Sequence, residues 1–257
     1  MDNDSKGTIA ISVVSHGQRD LMARLLADLV RLRPPVVTKL CVTLNIEEPA
    51  PPAVRWDGCR FEIVRNPRPL GFGANHNQAS RRCDPQWLAI VNPDVRLPAD
   101  CFAPLLAAAR PGDGLLAPRV VDGAGRSEDS ARELLTPWQL CKRLLGWRQP
   151  AVASRRDWYA GMFLLVRAEA FAAVGGFDSR YFMYLEDADL SLRLRLAGWR
   201  TRFVPEAIVV HDARRASRRR LRHLLWHATS LLKHWLSPAF WRYLRRRQAL
   251  RAESRAG

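Results

Sequence analysis

Apolar positions along the first hundred residues alternate between two spacings. Residues 8–14 (Thr-Ile-Ala-Ile-Ser-Val-Val) form a short run rich in β-branched side chains, the mark of a buried strand. Over 20–32 the apolar residues fall at Leu21, Leu25, Leu29 and Leu32, a helical period, and Pro34-Pro35 stops that helix. Residues 39–44 and 60–64 read as a second and third strand, and 66–73 as a Pro/Gly loop. A helix over 74–82 follows, then a fourth strand over 87–91, closed by Asn92-Pro93-Asp94. Strands separated by helices predict an α/β domain, a mainly parallel sheet with helices on both faces. Ligands of such sheets sit beyond the carboxyl ends of the strands. That singles out three loops: Ser15-His16-Gly17, residues 66–77, and Asn92-Pro93-Asp94.

Further on the pattern is mixed. Residues 122–157 hold Gly123, Gly125, a helical stretch over 137–145 and a polar Arg/Ser run, and read as a mobile loop and lid. Residues 159–166 are strand-like, and 186–197 read as a helix ended by Gly198 in the left-handed conformation. Two short strands, 201–204 and 207–210, lead to His211. From Arg214 to Arg255, apolar residues recur at three- and four-residue intervals between arginine clusters, predicting two amphipathic helices broken near Pro238. The expected organisation is a domain over 1–212 and a basic helical tail over 213–257.

Composition sharpens this division. The net charge is +16, but residues 213–257 hold 13 of the 41 Lys and Arg and one acid, Glu253, so the extreme charge belongs to the tail. Five widely spaced cysteines with no CxxC make neither a disulfide framework nor a zinc site, and a reducing cytoplasm fits them. The polar, acidic start is unlike a secretory leader, and no run approaches the ~18 apolar residues of a spanning helix.

The candidate chemistry lies in a few residues. Asp94 follows a buried strand at the end where ligands bind. A carboxylate there can hold Mg2+ or Mn2+, although Asn-Pro-Asp is also good turn chemistry. Glu186, Asp187 and Asp189 crowd the start of a helix. They complement its dipole, and like charges held close also raise one another's pKa and suit a general base. His211 ends an apolar run as either a metal ligand or a structural residue. Gly71 and Gly73 allow close backbone approach, and the following helix start can face an anion. That loop has neither GxGxxG nor the lysine of a P-loop.

Four stretches, taken in order, resemble the family 2 glycosyltransferases of GT-A fold, in particular the bacterial rhamnosyltransferase-like branch. They are Gly71-Phe72-Gly73-Ala74-Asn75-His76-Asn77, Val91-Asn92-Pro93-Asp94, Gly161 through Arg167, and Gly175-Gly176-Phe177-Asp178 running through the Glu186-Asp187 pair to Gly198-Trp199. The resemblance implies a Rossmann-like GT-A fold. It also implies inverting transfer of a sugar, rhamnose in that branch, from a nucleoside-diphosphate donor to a glycan or lipid-linked glycan in cell-surface polysaccharide synthesis. Asp94 is implied as a ligand of Mg2+ or Mn2+, and His211 as the histidine closing the metal and diphosphate site. Asp187 is implied as the catalytic base, with Glu186 shaping the acceptor site. Ser15, Asn66, Gly71, Phe72, Asn75 and Asn92 are implied on the donor side, and Trp158 and Gly161 at the border of donor sugar and acceptor. The chain departs from the family at Asn92, which replaces the first acid of the usual DxD. Asn45 and its neighbours replace the usual Asp-Asn-x-Ser, which leaves dTDP, UDP and GDP open as donor nucleotides.

A basic tail with Trp and Leu opposite suits an anionic membrane, where each Lys or Arg adds ~1 kcal/mol. It predicts a cytoplasmic enzyme peripheral on the inner face of the membrane. The alternative is that the helices pack on the domain with solvated arginines. His223 and His227, four apart, have no evident third metal ligand. A nucleic-acid-binding protein would use the same Arg/Trp tail but leaves the ordered acids unexplained, so no nucleic-acid partner is expected. A nucleotidyltransferase would need a Lys-bearing triphosphate loop that is not seen. A transferase that binds without turnover is kept open by Asn92.

Overall fold

The computed structural model describes residues 7–145, 156–211 and 220–256. Strand β1 (Ile9–Ser15), helix α1 (Arg19–Leu32), β2 (Val37–Leu44), β3 (Arg60–Arg65), α2 (Phe72–Ser80) and β4 (Trp87–Val91) follow the periodicity read from the sequence. The second half adds β5 (Val95–Arg96), α3 (Phe102–Ala108), β6 (Asp113–Val121), β7 (Ala131–Arg132), α4 (Pro137–Leu144), β8 (Trp158–Tyr159) and β9 (Phe163–Arg167). It continues with α5 (Ala168–Ala173), α6 (Glu186–Leu196), β10 (Arg200–His211), α7 (Arg220–Leu236) and α8 (Pro238–Ala256).

Eight strands form one mixed sheet in the order β3-β2-β1-β4-β9-β6-β10-β5. The pairs β3–β2, β2–β1, β1–β4 and β6–β10 are parallel. β9 runs antiparallel to β4 and β6, and β5 antiparallel to β10. The carboxyl ends of β1, β2, β3, β4, β6 and β10 and the start of β9 therefore share one edge. Alternation along β1 sends Ile9, Ile11 and Val13 into the core under α1 and α3, and Ala10 into the core on the other face with Phe171, Phe177 and Leu190.

Several elements differ from the sequence reading. No strand was read over 95–121, where β6 lies at the centre of the second half of the sheet. Asp113 is fully buried at the strand start, accepting from Arg200 Nε (3.1 Å) and Arg202 Nε (2.8 Å) on β10. The single strand over 159–166 is two, β8 and β9, separated at 160–162 where the Gly161 N–H is taken by a side chain described below. The strands over 201–204 and 207–210 are one, β10, with a register shift between Val204 and Ile208. Pro205 in that interval has no N–H to pair, so the ladder slips there.

Much of the stretch read as a mobile lid is tied down. Glu128 N–H bonds Val120 O (2.9 Å), Ala160 N–H bonds Ser130 O (2.8 Å), and Asp157 N–H bonds Arg132 O (2.8 Å). Its polar Arg/Ser part, 146–155, lies outside the described residues. The tail helices meet at Ser237-Pro238, where Ser237 Oγ accepts the Phe240 N–H (3.1 Å) and proline occupies the first helical position. α8 packs on α6, burying Phe240 and Tyr243 with Leu134 and Leu192. The Asp157 carboxylate, 2% exposed, is held by Tyr243 OH (2.9 Å) and Arg247 (2.8 Å), and Arg247 also pairs with Glu133. Leu224, Leu225, Leu232 and Leu236 of α7 stay exposed. No helix among the described residues is long and apolar enough to cross a membrane.

Candidate active site

Asparagines knit the loops over the parallel half of the sheet. Asn45, just past β2, accepts on Oδ1 from the Leu70 N–H (2.8 Å) and Asn66 Nδ2 (2.9 Å), and donates from Nδ2 to Leu70 O (2.9 Å). Asn66 Nδ2 also donates to Asn75 Oδ1 (2.6 Å), and Asn75 Nδ2 to Gly71 O (2.9 Å). The buried Asn75 is thus engaged in holding the loop, whereas Asn66 Oδ1 is buried without a partner. Ser15 is also fully buried, its Oγ accepting the Gln18 N–H (3.2 Å). Ser15 and Asn75 shape this corner from behind. Asn45, their hub, was not singled out as a site residue, although a polar residue at the end of a buried strand was signal enough.

The loop ends at Gly71, where a Cβ would stand 2.8 Å from Phe182 O. Only glycine allows that approach. Phe72 N–H then bonds Phe182 O (2.9 Å), which starts α2 two residues earlier than its sequence pattern suggests. The Phe72 ring packs against His76 and Phe177 and reaches Gly161, where an added Cβ would be 3.3 Å from it.

Asp94 sits past β4 in a turn closed by the Val95 N–H on Asn92 O (3.2 Å), a backbone contact that does not engage the Asp94 carboxylate. β5 pairs Val95 with His211, bringing His211 Nε2 to 3.3 Å from Asp94 Oδ2. His211 Nδ1 bonds Glu128 Oε2 at 2.8 Å. Burial alone would lower the His211 pKa, but Asp94 and Glu128 outweigh it and raise it to about 9. Asp94 Oδ1 is buried with no partner. That orphaned oxygen beside an imidazole fits a divalent cation, and a carboxylate on the far ring nitrogen is the usual support of a metal-bound histidine. Among the described residues no three His, Cys, Asp or Glu side chains enclose an ion. A cation here would take two protein donors and complete its shell from phosphate and water oxygens. Glu128, 83 residues from its partner, carried no local sequence signal.

Asp187 lies in the first turn of α6. Its Oδ2 accepts the Gly161 N–H (2.8 Å) and its Oδ1 the Ala188 N–H (2.8 Å). Each carboxylate oxygen keeps a further lone pair for a substrate proton. Burial raises the Asp187 pKa, opposed by those two N–H groups and the charge of Arg132. Neighbouring Glu186 is 5% exposed with Oε2 unpartnered, and burial, then the charge of Asp187, push its pKa up to about 8. Trp158 is buried behind the site, its Nε1 donating to Glu133 O (3.2 Å) and its ring under Arg132 at 5.1 Å. Tyr184 and Leu185, just before α6, have φ of +74° and +66°. Non-glycine residues there cost about 1–3 kcal/mol each and persist only when their surroundings hold them.

The two acid corners border one turn. Asn92 N–H bonds Met162 O (3.0 Å), and the preceding Gly161 holds Asp187. A cavity of about 700 Å3 lies at the opposite end of β4, lined by residues such as Arg81, Gln86 and Arg167, and includes none of these acids.

Known proteins carry the same framework. A sequence model of the family described as glycosyl transferase family group 2 matches residues 87–252. An N-acetylglucosaminyl-diphospho-decaprenol L-rhamnosyltransferase of Mycobacterium tuberculosis is 38% identical over 181 residues, 60% of this chain and 59% of that protein. Rhamnosyltransferase WbbL of Escherichia coli is 46% identical over 79 residues, 30% of each chain. The aligned part of the chain thus spans about three fifths of the first relative and under a third of the second. Among solved structures, GalNAc-T7 with UDP, GalNAc and Mn2+ aligns with TM-score 0.62 at 18% identity, over 83% of this chain and 45% of that one. The Pyrobaculum calidifontis mannosyltransferase PcManGT with GDP-Man and Mn2+ aligns with TM-score 0.60 at 18% identity, over 100% of this chain and 77% of that one. Both likenesses are of fold.

Proposed function

The chain belongs to glycosyl transferase family group 2, and from that membership we propose that it is an inverting, nucleotide-sugar-dependent transferase. The donor sugar is rhamnose, in keeping with the names of both rhamnosyltransferases, and the acceptor is a lipid-linked glycan, in keeping with the diphospho-decaprenol in the name of the first. The observation that carries this reading is Asp187, a carboxylate of raised pKa fixed by the Gly161 N–H one residue from the turn contact of Asn92. Asp187 takes the proton of the acceptor hydroxyl, whose oxygen attacks the anomeric carbon from the side opposite the diphosphate, inverting that carbon. Glu186 walls the acceptor side, with Trp158 behind it. Phe72 and Gly161 border the sugar, and the Asn45–Asn66–Asn75 network holds the donor loop. Asp94 and His211 would hold Mg2+ or Mn2+, which when bound offsets the charge of the leaving diphosphate. His211 must be neutral for that role, with its Nδ1–H on Glu128.

General-base help is typically worth about 10²–10⁴-fold, or about 3–5 kcal/mol of barrier. Asp187→Asn should therefore lose at least a hundredfold in turnover against a panel of nucleotide sugars, while nucleotide binding stays within a few-fold. Retained turnover would remove the assignment.

The membrane reading rests on the bare leucines of α7 and the tail arginines. It places the enzyme peripherally on the cytoplasmic face of the membrane, where a lipid-linked acceptor presents its sugar. Deleting 213–257 is a poor test, since it strips Asp157 of Tyr243 and Arg247. Replacing Leu224, Leu225, Leu232 and Leu236 by Gln keeps those contacts, and should reduce flotation with phosphatidylglycerol vesicles. Equal flotation of both proteins would end the membrane reading.

A further inference from the structure

Two consecutive left-handed residues, Tyr184 and Leu185, aim the start of α6. One side of this segment is fixed by the donor loop, through the Phe72 N–H on Phe182 O and the close pass of Gly71. The other side is held by α7. Tyr184 OH and His223 Nδ1 are hydrogen-bonded at 2.6 Å, and the Tyr184 ring stacks on His227 with centroids 3.5 Å apart and planes at 12°. The Phe182 and Trp226 rings meet at 5.1 Å, and Ser230 Oγ donates to Met183 O (2.8 Å). Residues 223, 226, 227 and 230 recur at helical spacing, so a single face of α7 makes this grip.

We propose that Tyr184 is a positioning residue clamped by His223 and His227, and that α7 through this clamp fixes where Asp187 stands. Backbone in the left-handed region returns to commoner conformations when its surroundings release it. A flip at either position would swing the first turn of α6, and with it the carboxylate that receives the Gly161 N–H. The pair of histidines four residues apart thus serves a tyrosine rather than a metal. The inference builds on the reading of Asp187 as the base, but it concerns the location of that side chain and can fail separately.

The Gly161 amide reports that location directly. In the full-length chain carrying His223→Ala and His227→Ala, hydrogen exchange at Gly161 should accelerate at least tenfold, about 1.4 kcal/mol of lost protection. Exchange at Asn92, whose N–H bonds the adjacent Met162 O, should stay within twofold. His223→Asn, which keeps a hydrogen-bonding group near the position of Nδ1, should retain wild-type exchange at Gly161. Unchanged Gly161 protection in the double variant overturns the clamp. Equal acceleration at Gly161 and Asn92 overturns it too, because the loss would then be one of general packing. Turnover by Asp187→Asn would instead strike at the base assignment and leave the exchange result standing.

Discussion

Replacing Glu186 by Gln tests the electrostatics of the acid pair without substrate. Burial, and then the charge of Asp187 beside it, push the Glu186 carboxyl up to about 8, against 4.5 ordinarily. Between those values the folded chain keeps a proton that the unfolded chain releases, so this residue makes stability fall as pH rises from about 4.5 to 8. At 1.36 kcal/mol per pH unit the gap sets a ceiling near 5 kcal/mol, and sharing charge with Asp187 brings the expected loss to about 2–4 kcal/mol. Gln cannot ionise and resembles the protonated acid in size. The variant should match wild type at pH 4.5 and exceed it by about 2–4 kcal/mol at pH 8.5, or roughly 5–15 °C in midpoint for a chain of this length. Thermal unfolding followed by circular dichroism in EDTA, at half-unit pH steps, measures it. Two curves that run parallel across the whole range would refute the picture of a buried, late-ionising Glu186.

Other outcomes follow from the same contacts. Arg247→Met should cost about 3–5 kcal/mol, because it leaves the buried Asp157 carboxylate without its cation; denaturant unfolding reads this. Glu128→Gln should weaken Mn2+ binding about 10–100-fold in the presence of a nucleoside diphosphate, as losses of such supporting groups do. Mn2+ electron paramagnetic resonance would detect it, and unchanged affinity would separate Glu128 from the metal corner. Gly71→Ala drives a methyl to 2.8 Å from Phe182 O, with an expected cost of about 1–3 kcal/mol and a matching loss of donor binding by calorimetry.

The first half of the fold was legible because each element there is set by local periodicity. Residues 9–15 and 87–91 are β-rich runs with buried neighbours, and residues 19–32 carry a clean helical stripe. The Asn92-Pro93-Asp94 turn and the Glu186-Asp187 pair stood out by order along the chain, and both border the turn at 160–162. The tail was legible as two helices with a break at Pro238, again from local spacing.

What escaped the sequence depends on partners far away. Asp113 opens a buried strand only because Arg200 and Arg202 reach it from β10. Gly161 interrupts a strand because Asp187, 26 residues on, needs its N–H. Glu128 meets His211, and His223 and His227 meet Tyr184, across separations that no short-range pattern encodes. Periodicity reports which side of an element faces the core, and so the sequence alone determined the strands and helices of the first half, the two tail helices, and Asp94, Glu186 and Asp187 as the acids that stand out. A hydrogen bond between distant groups forms only once packing has brought both to one place. The burial that raises the pKa of Glu186 and Asp187, and the contacts that orient them, were therefore decided by the tertiary structure.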